Sequence, residues 1–83
     1  MLETSSFTLH YDSEHDILDI FVGEPVAASS DETAPGILLR HTFDSDELVG
    51  VTIMEYSKKT KGFLRYHIPL AIDWKSVEKV IYA

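Results

Sequence analysis

Apolar and polar residues alternate with a period of two in four stretches of the 83-residue chain. Over 7–12, Phe7, Leu9 and Tyr11 alternate with Thr8, His10 and Asp12, the pattern of a half-buried strand. Over 17–22, Leu18, Ile20 and Val22 point one way and Ile17, Asp19 and Phe21 the other. A charge at Asp19 predicts that this second face meets water or a polar interface. Ile37, Leu39, His41 and Phe43 share a face over 37–43, and Val49, Val51 and Ile53 oppose Thr52, Met54 and Tyr56 over 49–56. A polar turn, Asp12 to Asp16, joins the first pair, and an acidic turn, Asp44-Ser45-Asp46-Glu47, joins the second. Residues 7–57 therefore read as two consecutive β-hairpins.

The connection over 24–36 is polar around Ser29, Ser30, Asp31 and Glu32, and Val26 with Ala28 reads as a short edge strand. Gly23-Glu24-Pro25 closes the second strand, because proline donates no ladder hydrogen bond. Gly36 stands directly before an apolar run, which predicts a backbone needing positive φ. Gly50 inside a strand marks a bulge or a close backbone approach. Beyond the basic loop Lys58 to Gly62, the residues Leu64, Tyr66, Ile68 and Leu70 alternate with Phe63, Arg65 and His67, a fifth extended segment placed at an edge or end by Pro69. Asp73 is placed to cap a helix over 74–81, where Trp74, Val77 and Ile81 recur at helical spacing. The expected fold is α+β: a small antiparallel meander sheet of four to five strands with a short C-terminal helix. An all-β chain is the alternative, since Val80-Ile81-Tyr82 is β-prone.

Length and composition narrow this picture. Residues 1–83 form one domain, and a domain of this size buries only about 60–65% of its unfolded surface. With no cysteine, neither a disulfide nor a zinc-thiolate site reinforces it. A well-packed helix or a partner chain is then the remaining support. Met1 to Ser6 has no basic or apolar run, so no signal peptide is expected. No apolar run approaches the ~20 residues of a spanning helix. A cytoplasmic protein with no membrane partner is the expectation.

Fourteen acids oppose seven bases, for a net charge of -7. Residues 1–57 hold twelve acids and the single base Arg40, or -11, whereas 58–83 hold six bases and two acids, or +4. The basic tail is expected to pack on acidic surface. An acidic protein is poorly suited to nonspecific nucleic-acid binding, which needs phosphates neutralised by Lys and Arg.

His10, Asp12, His15 and Asp16 form the densest polar constellation. Imidazole with carboxylate suits zinc or a non-haem metal, but a polar strand face followed by an ordinary turn explains the same residues. His41, on an apolar face, signals a bulge that turns it outward or a hydrogen-bonded buried histidine. His67 is expected at the surface or an interface. Ser29 and Ser30 lie in a flexible polar loop, and no G-x-S-x-G elbow or GxxxxGK[ST] loop is present. Lys58, Lys59, Lys61 and Arg65 interleave with Phe63 and Tyr66 as in single-strand binders, though a solvated loop before an amphipathic strand accounts for them. No residue is assigned a catalytic, cofactor or metal role.

Tyr11-Asp12, Ile17-Leu18-Asp19-Ile20, Glu24-Pro25-Val26, Glu32-Thr33, Gly36-Ile37-Leu38-Leu39 and Leu48-Val49-Gly50-Val51 with Ile53 follow one another in a characteristic order. In this the chain resembles the small prokaryotic proteins of domain-of-unknown-function family 2283, over roughly residues 8–57. The resemblance implies a small antiparallel sheet with a C-terminal addition and no established activity. Family members usually place a D-x-D-G-like turn between the third and fourth strands. Here Asp44-Ser45-Asp46-Glu47 lacks the glycine, and the tail after Lys59 departs from a short helical ending.

The functional expectation is a non-catalytic binding or assembly module acting as a homo-oligomer, with a dimer favoured. Its sheet face and C-terminal segment would bury apolar surface against a partner chain. A second reading is an antitoxin-like protein whose acidic body neutralises a basic partner protein. A third is a metal-dependent enzyme using His10, Asp12, His15 and Asp16.

Overall fold

The computed structural model describes residues 7–23 and 26–82. The readings of Met1–Ser6 and of Glu24–Pro25 fall outside them. Five strands form one antiparallel sheet: β1 (Phe7–Asp12), β2 (Ile17–Val22), β3 (Ser29–Ala34), β4 (Ile37–His41) and β5 (Leu48–Met54). A 3-10 turn (Tyr56–Lys58) leads into helices α1 (Lys61–His67) and α2 (Trp74–Ile81). The sheet order is β1-β2-β5-β4-β3. A β3–β4–β5 meander thus receives the β1–β2 hairpin along β5. This is an α+β fold with a meander-like sheet.

Register puts the expected apolar set on one face. Tyr11 pairs with Leu18, Leu18 with Ile53, Ile53 with Ile37, and Ile37 with Ala34. In the next row Leu9 meets Ile20, Ile20 meets Val51, and Val51 meets Leu39. Both helices cover this inner face. Leu64, Ile68, Trp74 and Val77 are buried in one cluster with Leu18, Ile20, Ile37, Val51 and Ile53. Each fully buried side chain of this size contributes roughly 1.5–3 kcal/mol, so the layer contact holds the small domain together. Tyr56 links its parts: its ring meets Tyr11 edge-on at 6.2 Å and stacks with Trp74 at 6.5 Å.

The tail corrects two expectations. Residues 63–70 do not form an extended segment; 61–67 are helical. The Thr60 side chain caps this helix by accepting from the Phe63 backbone N–H. Leu64 and Ile68, four apart, are buried while Tyr66 is 85% exposed, which is a helical face and not alternation. Ile68 precedes Pro69, a position that disfavours helix, and α1 ends at His67. Asp73 caps α2 as expected, accepting from the Lys75 and Ser76 backbone N–H groups. The tail docks chiefly through apolar packing. Among the described residues one ion pair, Lys58–Glu55, joins it to the acidic part, and the other, Lys61–Glu78, lies within the tail.

The edge strand lies later than expected. Val26 and Ala28 are outside the strands, and β3 begins at Ser29, so Ser29 and Ser30 belong to a ladder and not to a loose loop. Five of its six residues are exposed, and only Ala34 is buried. Asp31 and Glu32 on such an edge discourage pairing with another sheet. Gly36 has φ +77° as expected, and Gly50 is a close backbone approach: a Cβ there would lie 2.8 Å from the Ile20 carbonyl oxygen.

Candidate functional site

Among the described residues, the helices leave the opposite, outer face of the sheet uncovered. One row across it reads Thr8, Phe21, Gly50, Arg40, Ser30, and the next His10, Asp19, Thr52, Leu38, Glu32. Asp12, Ile17 and Met54 form a shorter third row. Gly50 shapes the first of them. Without a side chain at Gly50, Phe21 and Arg40 meet across β5, and the Arg40 guanidinium carbon sits 5.4 Å from the Phe21 ring centroid. Cation–π contact of this kind fixes the long arginine over the sheet. Among the described residues the buried Arg40 Nε has no hydrogen-bond partner and Arg40 makes no ion pair. In the second row the Thr52 hydroxyl donates to the Asp19 carboxylate at 2.6 Å. Around these polar groups lie half-buried Ile17, Phe21 and Leu38 and the 42% exposed Met54. The outer face is therefore a mixed surface, polar along much of its length, with an apolar part at Ile17, Phe21, Leu38 and Met54, one fixed cation and one hydrogen-bonded carboxylate.

The sequence offered Asp19 as the sign of a polar or interfacial face, and that holds in part. Arg40 was the missed residue. Its signal was to be the lone base among twelve acids, set in register with a glycine and a phenylalanine. His41 lies at an irregularity of register between Arg40 and His41, in line with the expected bulge. Its Nδ1 is buried without a partner among the described residues, which departs from the hydrogen-bonded histidine of the other reading.

The structure divides the His10, Asp12, His15, Asp16 constellation. His10 stands on the outer face opposite Asp19. Asp12 caps the β1–β2 turn: its Oδ1 accepts from the Glu14 and His15 backbone N–H groups at 3.0 and 3.2 Å, and its Oδ2 accepts from the His15 ring at 2.8 Å. The His15 hydrogen bonds hold the Asp12 carboxyl below its usual range. Asp12, Glu14 and His15 each bring one ligand-type atom within 4.8 Å of the others. An aspartate bonding its own turn backbone gathers such groups without an ion.

Asp16 faces the other way and latches the turn to the segment after β5. With φ +55°, it accepts from the Tyr11 hydroxyl at 2.6 Å, the Ser57 hydroxyl at 2.6 Å and the Ser57 backbone N–H at 3.1 Å. Its carbonyl accepts from the Tyr56 N–H at 3.0 Å. Desolvation raises the Asp16 pKa, but the Ser57 and Tyr11 hydrogen bonds outweigh it and hold the carboxyl below its ordinary value. The same contact, with burial second, pushes Tyr11 up to about 12. Replacing Asp16 by alanine is expected to cost about 1.5–3 kcal/mol, the usual loss for hydrogen bonds to a charged group. A depressed carboxyl stabilises the fold above the ordinary aspartate value of ~3.9 and loses that contribution as pH falls through the lower folded value. Denaturant midpoints at neutral and acid pH should therefore differ less in the Asp16→Ala chain than in the parent.

His67 lies on α1, not on an extended segment, with its ring 4.4 Å from Phe63 and 4.9 Å from Tyr66. A shallow groove of about 280 Å³ lies beside Phe63, lined also by Pro35, Lys58, Lys59 and Thr60. No helix among the described residues is long and apolar enough to cross a membrane. No curated protein and no solved structure matches the chain. The family model described as "Protein of unknown function (DUF2283)" matches residues 8–57, which span β1 to β5 and carry the whole outer face. With that match covering more than half of its length, the chain belongs to the DUF2283 family of proteins of unknown function.

Proposed function

We propose that this chain is a small non-catalytic binding and assembly module that self-associates through the outer face of its sheet. The observation that carries the reading is the face itself, uncovered among the described residues: apolar Ile17, Phe21, Leu38 and Met54 share it with an Arg40 that makes no ion pair among those residues. A second copy brings carboxylates, Asp19 and Glu32 of the same face, to an arginine side chain that lacks one. A two-fold contact of this kind is self-complementary, the commonest form of homodimer. Leu64, Ile68, Trp74 and Val77 of the tail fill the chain's own core, so these four do not drive association.

Light scattering of the parent chain is expected to give at least twice the 9.4 kDa monomer mass. Leu38→Glu with Met54→Glu places two charges on the face and should give a folded monomer. The acidic turns favour a second reading, in which the body neutralises a basic partner protein. Asp44, Asp46 and Glu47 are all exposed. Stoichiometric co-purification of a basic protein, with a monomeric parent chain when alone, would favour that reading.

A further inference from the structure

The ends of the β4 strand carry complementary features that one copy is unable to bring together. At its C-terminal end, Thr42 organises a tight turn. Its N–H donates to the Glu47 carbonyl at 2.9 Å, its carbonyl accepts from the Asp46 N–H at 3.2 Å, and its hydroxyl bonds Ser45 at 2.7 Å and accepts from the Glu47 N–H at 3.1 Å. This framework holds Phe43 outward, 73% exposed, beside exposed Asp44, Asp46 and Glu47. At the N-terminal end of β4, past the Pro35–Gly36 turn, lies the groove of Pro35, Lys58, Lys59, Thr60 and Phe63. Its walls are apolar at Pro35 and Phe63 and basic at the two lysines. Lys58 is paired with Glu55 at 3.1 Å. Lys59 lies over Gly36 and makes no ion pair among the described residues. Lys59 is thus the groove's cation without an ion pair among the described residues, opposite in sign to the acidic turn.

We propose that this groove receives the Phe43–Glu47 turn of a second copy, with the Phe43 ring against Phe63 and Pro35 and the acidic side chains toward Lys59 and Lys58. The groove's about 280 Å³ lies just below the roughly 300–1,000 Å³ of small-molecule pockets, a size suited to one aromatic side chain. Turn and groove are separated by the five residues of β4, so the contact joins different copies. It is head-to-tail, and repetition builds rings or open chains of molecules. The contact does not rest on the outer-face reading. The outer-face contact rests on burial of Ile17, Phe21, Leu38 and Met54, which salt does not screen, whereas turn and groove attract by charge and respond to salt.

Sedimentation at ~0.1 M and ~1 M salt, where the screening length falls from ~10 Å to ~3 Å, should show a larger species at low salt that is lost at high salt. Lys58→Gln with Lys59→Gln removes the groove's charge, and Phe43→Ser with Asp44→Asn and Asp46→Asn removes the turn's. Each variant alone should lose the salt-sensitive species, and mixing the two should restore one contact, since each keeps the half that the other lacks. The outer-face variant Leu38→Glu with Met54→Glu should keep the salt-sensitive step, which separates failure of one contact from failure of the other. Because the chain has no cysteine, a Glu47→Cys chain, which keeps the Phe43 ring, mixed with a Lys58→Cys chain, which keeps the Thr60 cap and Lys59, provides a second measurement. Oxidation should favour the mixed disulfide over either homodisulfide. Absence of a salt-sensitive species, its survival in either charge variant, or no preference for the mixed disulfide would overturn the proposal.

Discussion

Trp74→Ala is expected to destabilise the chain by about 3–5 kcal/mol, the range for truncating a buried large aromatic. Trp74 is 5% exposed at the first position of α2, and its ring stacks on Tyr56, which in turn meets Tyr11 of β1. It therefore joins the second helix, the 3-10 turn and an edge strand through one row of rings. Removing it leaves a cavity beneath α2 and strips Tyr56 of a neighbour. Single domains have only about 5–15 kcal/mol of stability in total, and a chain this short sits toward the low end. Chemical denaturation with far-ultraviolet circular dichroism should show a much lower midpoint. A midpoint close to the parent's would mean that α2 contributes little to the core.

Gly36→Val is the second large effect. Gly36 has φ +77°, and a Cβ there would lie 3.2 Å from the Met54 carbonyl oxygen and 2.7 Å from the Lys59 Nζ. The lysine can swing away, but the carbonyl belongs to β5 and is fixed by the ladder. The Gly36 carbonyl also accepts from the Met54 N–H at 2.8 Å, so the turn is unable to tilt freely. Left-handed backbone at a β-branched residue costs about 1–3 kcal/mol, to which crowding against Met54 adds. The denaturation midpoint should fall clearly. An unchanged midpoint would show that the turn takes up another conformation without loss.

These two sites mark what was legible in the sequence. Gly36 was readable because proline and glycine before an apolar run describe a turn with a mechanism. Four strands were readable because β1, β2, β4 and β5 are each buried on one side, and half-burial is what writes alternation into a sequence. The edge strand β3 has no such pattern: it is exposed along nearly its whole length, so Ser29 to Thr33 read as a loop. In the tail, Leu64, Tyr66, Ile68 and Leu70 imitate alternation. The helix sits there because Thr60 caps it and Leu64 and Ile68 share its buried side.

The candidate site was legible only in part. Asp19 announced that the outer face was not ordinary core. The Phe21–Arg40 contact depends on Gly50 standing between them in register, and register between strands 10 to 30 positions apart is set by tertiary structure. The histidine and aspartate cluster was visible as composition, yet Asp16 and His10 project to different places because the turn passes through left-handed backbone at Asp16.

Self-association through the outer face is tested most directly by the solution mass of the parent chain and of Leu38→Glu with Met54→Glu, measured by light scattering at high salt, where the turn-to-groove contact is screened. A parent mass of at least twice 9.4 kDa, reduced to the monomer mass in a variant that keeps its fold, is the expected result. A parent chain that is monomeric under the same conditions would contradict it.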